Sequence, residues 1–199
     1  MRRSMAAALI LTALLFGGAY LTTGGSAAQE PESGDDTAQE PSGQGRRDST
    51  VLLTVQDGDT AEGMALDAYL RGVVRGEMPA SFETEALRAQ AAAESTYVYH
   101  QLAAGRKEAH LDADVCTDPG CCSAWLSEEA AQEKWGDDFT AWEERIEDAV
   151  AATDGQVALY RGEPILAVFH SSSSGRTAEA GDVWSGDVPY LRSVDSPEG

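Results

Sequence analysis

The chain has 199 residues, room for one ordinary domain behind a leader. Its 34 acidic residues against 14 basic ones give a formal net charge of -20, a field that repels nucleic-acid phosphates and anionic head groups and argues against nucleic-acid binding. Acidity itself names no partner, because a negative surface chiefly favours solubility.

In chain order, Arg2 and Arg3 precede an uncharged apolar stretch from Met5 to about Thr22. A run of about 18 residues lies at the lower edge for spanning a bilayer, and the flanking arginines predict a cytoplasmic N-terminus with the rest outside. Residues 1–23 therefore read as a single-pass anchor or a signal segment. Gly25, Ser26, Ala27 and Ala28 offer a cleavage site that would release the protein, whereas a run longer than the roughly 7–15 residues of a signal core favours the anchor. With no cysteine before Cys116, a lipoprotein anchor is excluded. Residues 24–49, rich in Gly, Ser, Gln, Glu, Asp and Pro, read as an acidic disordered linker reaching roughly 25–30 Å.

The globular part is expected over residues 50–199. Thr50, Val51, Leu52, Leu53, Thr54 and Val55 have the composition of a strand, closed by the turn residues Asp57, Gly58 and Asp59. Leu66, Tyr69, Leu70 and Val73 recur at helical spacing over 65–74. That helix is predicted to stop near Gly76, since Pro79 disfavours helix at Met78. Residues 83–104 carry the strongest helical signal, with Leu87, Ala91, Tyr97 and Leu102 as core candidates. A loop over 114–124 leads to a predicted helix over 127–153 with Trp135, Phe139, Trp142 and Ile146 inward. Strand-like runs at 156–160 and 164–169, joined by Arg161, Gly162 and Glu163, read as a hairpin. The mixture of helices and short antiparallel strands predicts one α+β domain.

Three segments carry chemistry. Glu77 lies at a predicted helix end between Gly76 and Met78-Pro79. A carboxyl partly enclosed by Met78 and Phe82 would be desolvated toward the range of a general acid, the plain alternative being a solvated surface glutamate. His110, Cys116, Cys121 and Cys122 gather all three cysteines and one of three histidines within thirteen residues. Outside the membrane this reads either as a disulfide from Cys116 to Cys121 or Cys122 with a spare thiol, or as a closed, structural zinc site. The run His170, Ser171, Ser172, Ser173, Ser174, Gly175 follows a strand. A serine nucleophile needs a base held by a third group, which nothing in the sequence supplies. A turn that hydrogen-bonds a sugar, or a plain loop, reads equally well. Trp184 and Tyr190 stand nearby in sequence.

Taken in order, Leu70-Arg71-Gly72-Val73-Val74, Glu77-Met78-Pro79, Glu85-Ala86-Leu87-Arg88-Ala89-Gln90-Ala91, Thr96-Tyr97, Cys116 with Cys122, Thr153-Asp154-Gly155, Phe169-His170-Ser171, Gly175-Arg176-Thr177, Asp182-Val183-Trp184 and Pro189-Tyr190-Leu191 resemble the stage II sporulation protein D family from about Val51 onward. The resemblance implies a lytic transglycosylase in wall remodelling at sporulation, cleaving between N-acetylmuramic acid and N-acetylglucosamine of peptidoglycan strands stripped of stem peptides. Glu77 would be the acid, with Tyr190, Ser171, Ser172, Ser173 and Ser95 at substrate positions. It also implies zinc at His110, Cys116 and Cys122, with Cys121 where a histidine is common, and no cofactor for the chemistry. A non-catalytic wall-binding module that enhances an N-acetylmuramoyl-L-alanine amidase is the alternative. The chain departs from the family's usual Ala-Arg-Thr-Tyr at Glu94-Ser95-Thr96-Tyr97, so Ser95 replaces an arginine. Ser174 replaces a glycine, and the family domain is expected to continue past Gly199.

Overall fold

A computed structural model of the chain describes residues 47–184, 186 and 188–196. The apolar segment and nearly all of the expected linker lie outside these residues. Among the described residues no helix is long and apolar enough to cross a membrane. Ordered structure begins before Thr50, for Asp48 is buried. Its backbone N–H donates to Asp154 Oδ1 at 2.6 Å, while its carboxylate accepts from Tyr99 Oη (3.4 Å) and Gly155 N (3.3 Å).

The fold is α+β. Strand β1 (Leu52–Asp57) turns through Gly58, at φ +56°, into antiparallel β2 (Thr60–Ala65), and on its other edge pairs in parallel with β3 (Val115–Cys116), Val55 opposite Val115. Leu53 and Val55 point inward while their neighbours stay partly or fully exposed, the alternation of a sheet covered on one face. Strand β2 has no apolar β-branched residue and is mostly exposed, so pairing with β1 rather than burial holds it. Strand β3 falls inside the expected 114–124 loop.

Helix α1 (Leu66–Glu77) buries Leu66, Tyr69, Leu70, Val73 and Val74. It ends at Glu77, beside the expected stop near Gly76, and Gly76 also marks a close approach. A Cβ there would lie 2.5 Å from the Ala124 carbonyl oxygen, and one at Gly72 would overlap the Trp125 indole. Helix α2 (Thr84–Ala104) buries Leu87, Ala91 and Val98 against α1 and the later helix over 139–152, whereas Tyr97 is half-buried and Leu102 exposed. The helix expected over 127–153 is broken. Helix α3 (Glu128–Trp135), capped by Ser127 Oγ accepting from Ala130 N at 3.1 Å, ends at Gly136 in the left-handed region (φ +56°). After a 3-10 turn, α4 (Phe139–Ala152) resumes and buries Ile146, Ala149 and Val150, while Trp135 and Trp142 meet edge to face at 5.5 Å beside the core.

The expected hairpin is present but short. Strands β4 (Leu159–Tyr160) and β5 (Glu163–Pro164) flank Arg161 and Gly162, both at positive φ, as a two-residue turn requires. Beyond Pro164 one more backbone bond is made, Ile165 N donating to Ala158 O at 3.1 Å, and residues 166–169 run on as one wall of a cavity. Strands β6 (Gly175–Arg176) and β7 (Asp195–Ser196) pair around the short helix α5 (Ala180–Val183).

One buried ion pair ties the helices together. Arg75 Nε donates to Glu143 Oε2 at 2.7 Å, Nη2 donates to Oε1, and both residues are under a tenth exposed. A single Arg75→Met replacement strands a buried carboxylate and is expected to lower stability by about 3–5 kcal/mol in denaturant melts, most of which returns when Glu143→Leu is added.

Candidate active site and metal centre

Glu77 is the last residue of α1. A carboxylate is disfavoured at that end by the helix dipole, so its placement serves something other than helix stability. Its Oε1 accepts from the Ala124 backbone N–H at 2.6 Å, and the side chain is half-buried. The amide can reach it because the 124–126 backbone runs along the bare strip of Gly72 and Gly76, with Leu126 N donating to Gly72 O at 2.9 Å.

Beside this segment lies a cavity of about 640 Å³. Its polar lining includes Glu94, Tyr97, Ser123, His170 and Tyr190, and its walls are apolar, with Leu166, Phe169, Val183 and Trp184 among them. Tyr190, an expected substrate contact, is in the cavity lining. Its hydroxyl accepts from Leu166 N at 2.9 Å, and its ring meets Tyr160 at a tilt of 50°, 5.2 Å between centroids. Of the other expected substrate contacts, Ser171, Ser172 and Ser173 are not in the cavity lining, although His170 is. Ser173 Oγ instead donates to Ser196 O. Ser95 is fully buried on α2, away from the lining, and its hydroxyl has no hydrogen-bond partner among the described residues. Glu77 itself does not line the cavity. It stands behind it, one residue beyond Ser123 through the Ala124 amide.

The carboxyl that does line the cavity is Glu94, which the motif reading names only as part of the departure at Glu94-Ser95-Thr96-Tyr97. It is 1% exposed, and accepts from Gln90 Nε2 at 3.0 Å and Ser123 Oγ at 2.9 Å. Burial, with the nearby Glu77 charge adding and the Ser123 hydrogen bond opposing, pushes it from 4.5 to about 7. Its signal in the sequence is positional. Glu94 falls on the same helical stripe as Leu87, Ala91 and Val98, where a charge does not belong.

The ligand atoms of His110, Cys116, Cys121 and Cys122 all lie within 4.8 Å of one another. The turn that returns the pair to Cys116 is closed by Cys121 N and Cys122 N, both donating to Asp118 O, and by Gly120 N donating to Asp118 Oδ1. The His110 Nδ1 side meets Ala113 O at 3.0 Å, which leaves Nε2, 3.4 Å from Cys122 Sγ, as the free ligand atom. Tetrahedral zinc at about 2.0–2.3 Å from each ligand needs such a spacing, so the four residues fit the metal. Lys107 Nζ donates to Tyr97 Oη at 2.7 Å and to Cys121 O, and lies 3.7 Å from Cys122 Sγ. Burial pushes the Cys116 thiol up to about 12. For Cys122 burial acts the same way but is outweighed by hydrogen bonds from Tyr97 and Cys116 and by the Lys107 charge, which hold it below the usual range.

The raised Glu94 has a stability consequence. Its folded value lies above its unfolded one, so its favourable contribution is complete below about pH 4.5 and is lost as the pH rises through about 7. Glu94→Gln removes that loss. Its unfolding free energy in denaturant melts is expected to match the parent's at the acid end and to exceed it by pH 8, on the order of 3 kcal/mol.

Residues 56–160 match the family described as SpoIID, Stage II sporulation protein. The chain is 35% identical over 138 residues to proteins named Stage II sporulation protein D from Bacillus amyloliquefaciens and Bacillus subtilis (strain 168), an alignment covering 69% of this chain and 40% of each relative. It is 33% identical over 122 residues to a Bacillus subtilis (strain 168) protein named Amidase enhancer, covering 61% of this chain and 14% of that one. The chain thus spans about two fifths of the length of the Stage II sporulation protein D relatives. The matched stretch takes in Glu77, Glu94 and the whole His110 to Cys122 cluster, and the chain belongs to the Stage II sporulation protein D family.

Proposed function

We propose that this chain is a peptidoglycan lytic transglycosylase acting in wall remodelling at sporulation, held at the cell membrane by residues 1–23 with its domain on the extracytoplasmic side. The observation that carries the reading is the Glu77 carboxylate held by the Ala124 amide, one residue along the chain from Ser123, which lines the Tyr190 cavity. Glu77, protonated, delivers its proton to the oxygen joining N-acetylmuramic acid to N-acetylglucosamine, and that bond breaks. As a carboxylate it then takes the proton of the muramoyl 6-hydroxyl, whose oxygen closes on C1 to leave a 1,6-anhydro end. Because the sugar supplies its own nucleophile, no second carboxyl is required to activate water, unlike in ordinary glycosidases. Tyr190 and the aromatic and apolar walls supply faces for sugar rings and N-acetyl groups.

His110, Cys116, Cys121 and Cys122 are proposed to hold zinc, which when bound braces the loop and contributes no step to the reaction. A second reading is a non-catalytic module that binds glycan and stimulates a wall amidase. The position of Glu77 behind the cavity lining and the relative named Amidase enhancer favour it.

Glu77→Gln is expected to lower release of anhydro-muropeptides from denuded glycan by roughly 10²–10⁴-fold, read by mass spectrometry. A variant as active as its parent rules Glu77 out as the acid, and stimulation of an amidase without any glycan product favours the module. Metal analysis of the purified chain is expected to find one zinc per chain, lost together with several degrees of melting temperature in Cys122→Ser. A Cys116 disulfide with no metal refutes the assignment.

A further inference from the structure

Glu94 is the only acidic residue in the cavity lining among the described residues, and it is chained to Glu77 through two consecutive residues of one segment. Its carboxylate takes the Ser123 hydroxyl at 2.9 Å, and the next residue's amide, Ala124 N–H, is the donor to Glu77 at 2.6 Å. We propose that Glu94 is a positioning residue for Glu77, gripping Ser123 so that the Ala124 amide stays aimed at the Glu77 carboxylate. The inference deepens the transglycosylase reading, and its link to turnover rests on that reading.

Several features make this a built arrangement. Glu94, Gln90 and Ser123 are each less than a tenth exposed, so the grip is made in a desolvated setting where a polar contact is strong and an unmade one costly. Gln90, one turn earlier on α2, holds the other carboxyl oxygen at 3.0 Å and fixes the side chain's direction. On the far side of the segment, Gly72 and Gly76 admit the Trp125 ring and the Ala124 carbonyl, so the backbone is pinned from both faces at the point where its amide meets Glu77. Nothing in α2 needs a carboxylate here for its own stability, and burial makes it costly to keep.

The grip also carries a charge that changes near neutrality. The groups facing Glu94 are Glu77 and Tyr69 on α1, Gln90 and Tyr97 on its own helix, Ser123 and Cys122 on the loop, and His170 and Arg192 across the cavity. Burial holds both phenols far above their ordinary range, so neither adds charge. Burial first, with Glu77 nearby adding to it and Ser123 opposing, places the Glu94 charge change at about pH 7.

The test follows the Ala124 amide in ¹⁵N-labelled full-length chain from pH 5 to pH 9. In the parent its resonance is expected to shift with a midpoint near 7, and in Glu94→Gln that shift is expected to vanish. Ser123→Ala, which keeps the carboxyl but cuts the grip, is expected to weaken the shift and to lower kcat on denuded glycan by roughly 10–100-fold at unchanged KM. An Ala124 amide that stays flat, or that titrates equally in Glu94→Gln, overturns the proposal. If the parent releases no anhydro product, the enzymatic reading falls, while the amide titration still decides whether Glu94 governs the Ala124–Glu77 contact.

Discussion

Gly72 and Gly76 stand one turn apart on α1 and leave a strip of that helix bare, and the segment from Ser123 to Leu126 lies in it. Any side chain at either position would collide, with the Trp125 ring in one case and the Ala124 carbonyl in the other. The contact is sealed by Leu126 N donating to Gly72 O. Both candidate carboxyls and the cysteine pair are tied to this contact. The same few residues put the Ala124 amide on Glu77, the Ser123 hydroxyl on Glu94, and the Cys121-Cys122 pair beside Cys116 and His110.

The thiol-imidazole cluster and the two carboxyls are therefore neighbours along one stretch of backbone, four residues from Cys121 to Ala124. A loop of that length has too few internal hydrogen bonds to hold its own shape. Here it is fixed at one end by the Asp118 turn and the thiol-imidazole cluster and at the other by α1. Lys107 and Tyr97 tie the cysteine end to α2, since Lys107 reaches Tyr97 and the Cys121 carbonyl while Tyr97 lines the cavity. A brace at the cysteines is felt at the carboxyls by covalent continuity, without any long pathway of coupled side chains.

Helices α1 and α2 are legible in the sequence because Leu66, Tyr69, Leu70 and Val73, and then Leu87 and Ala91, keep helical spacing and all become core. The cysteine cluster is legible because short spacing forces proximity whatever the fold. Strand β2 is not, since Thr60-Ala61-Glu62-Gly63-Met64-Ala65 has no strand-forming pattern and exists only as the partner of β1. The break at Gly136 is missed for a different reason. The apolar period continues through Trp135, Phe139 and Trp142 and hides a residue that ends the helix by its positive φ. Glu77 is visible as a motif, but its standing behind the cavity rather than in its wall depends on where a loop 47 residues away returns. Ser95 shows the converse. A position that the family pattern marks as functional is here sealed inside the helix packing.

The clamp at Asp48 bears on how the domain meets load. Its backbone amide, its carboxylate, the Tyr99 hydroxyl and the turn at Asp154 and Gly155 form a knot just where the described chain begins, ahead of the central strand β1. Tension applied through the residues that precede it reaches this polar knot first and is passed into α2 and the end of α4. The strand at the middle of the sheet is thereby spared from being peeled away from its two neighbours.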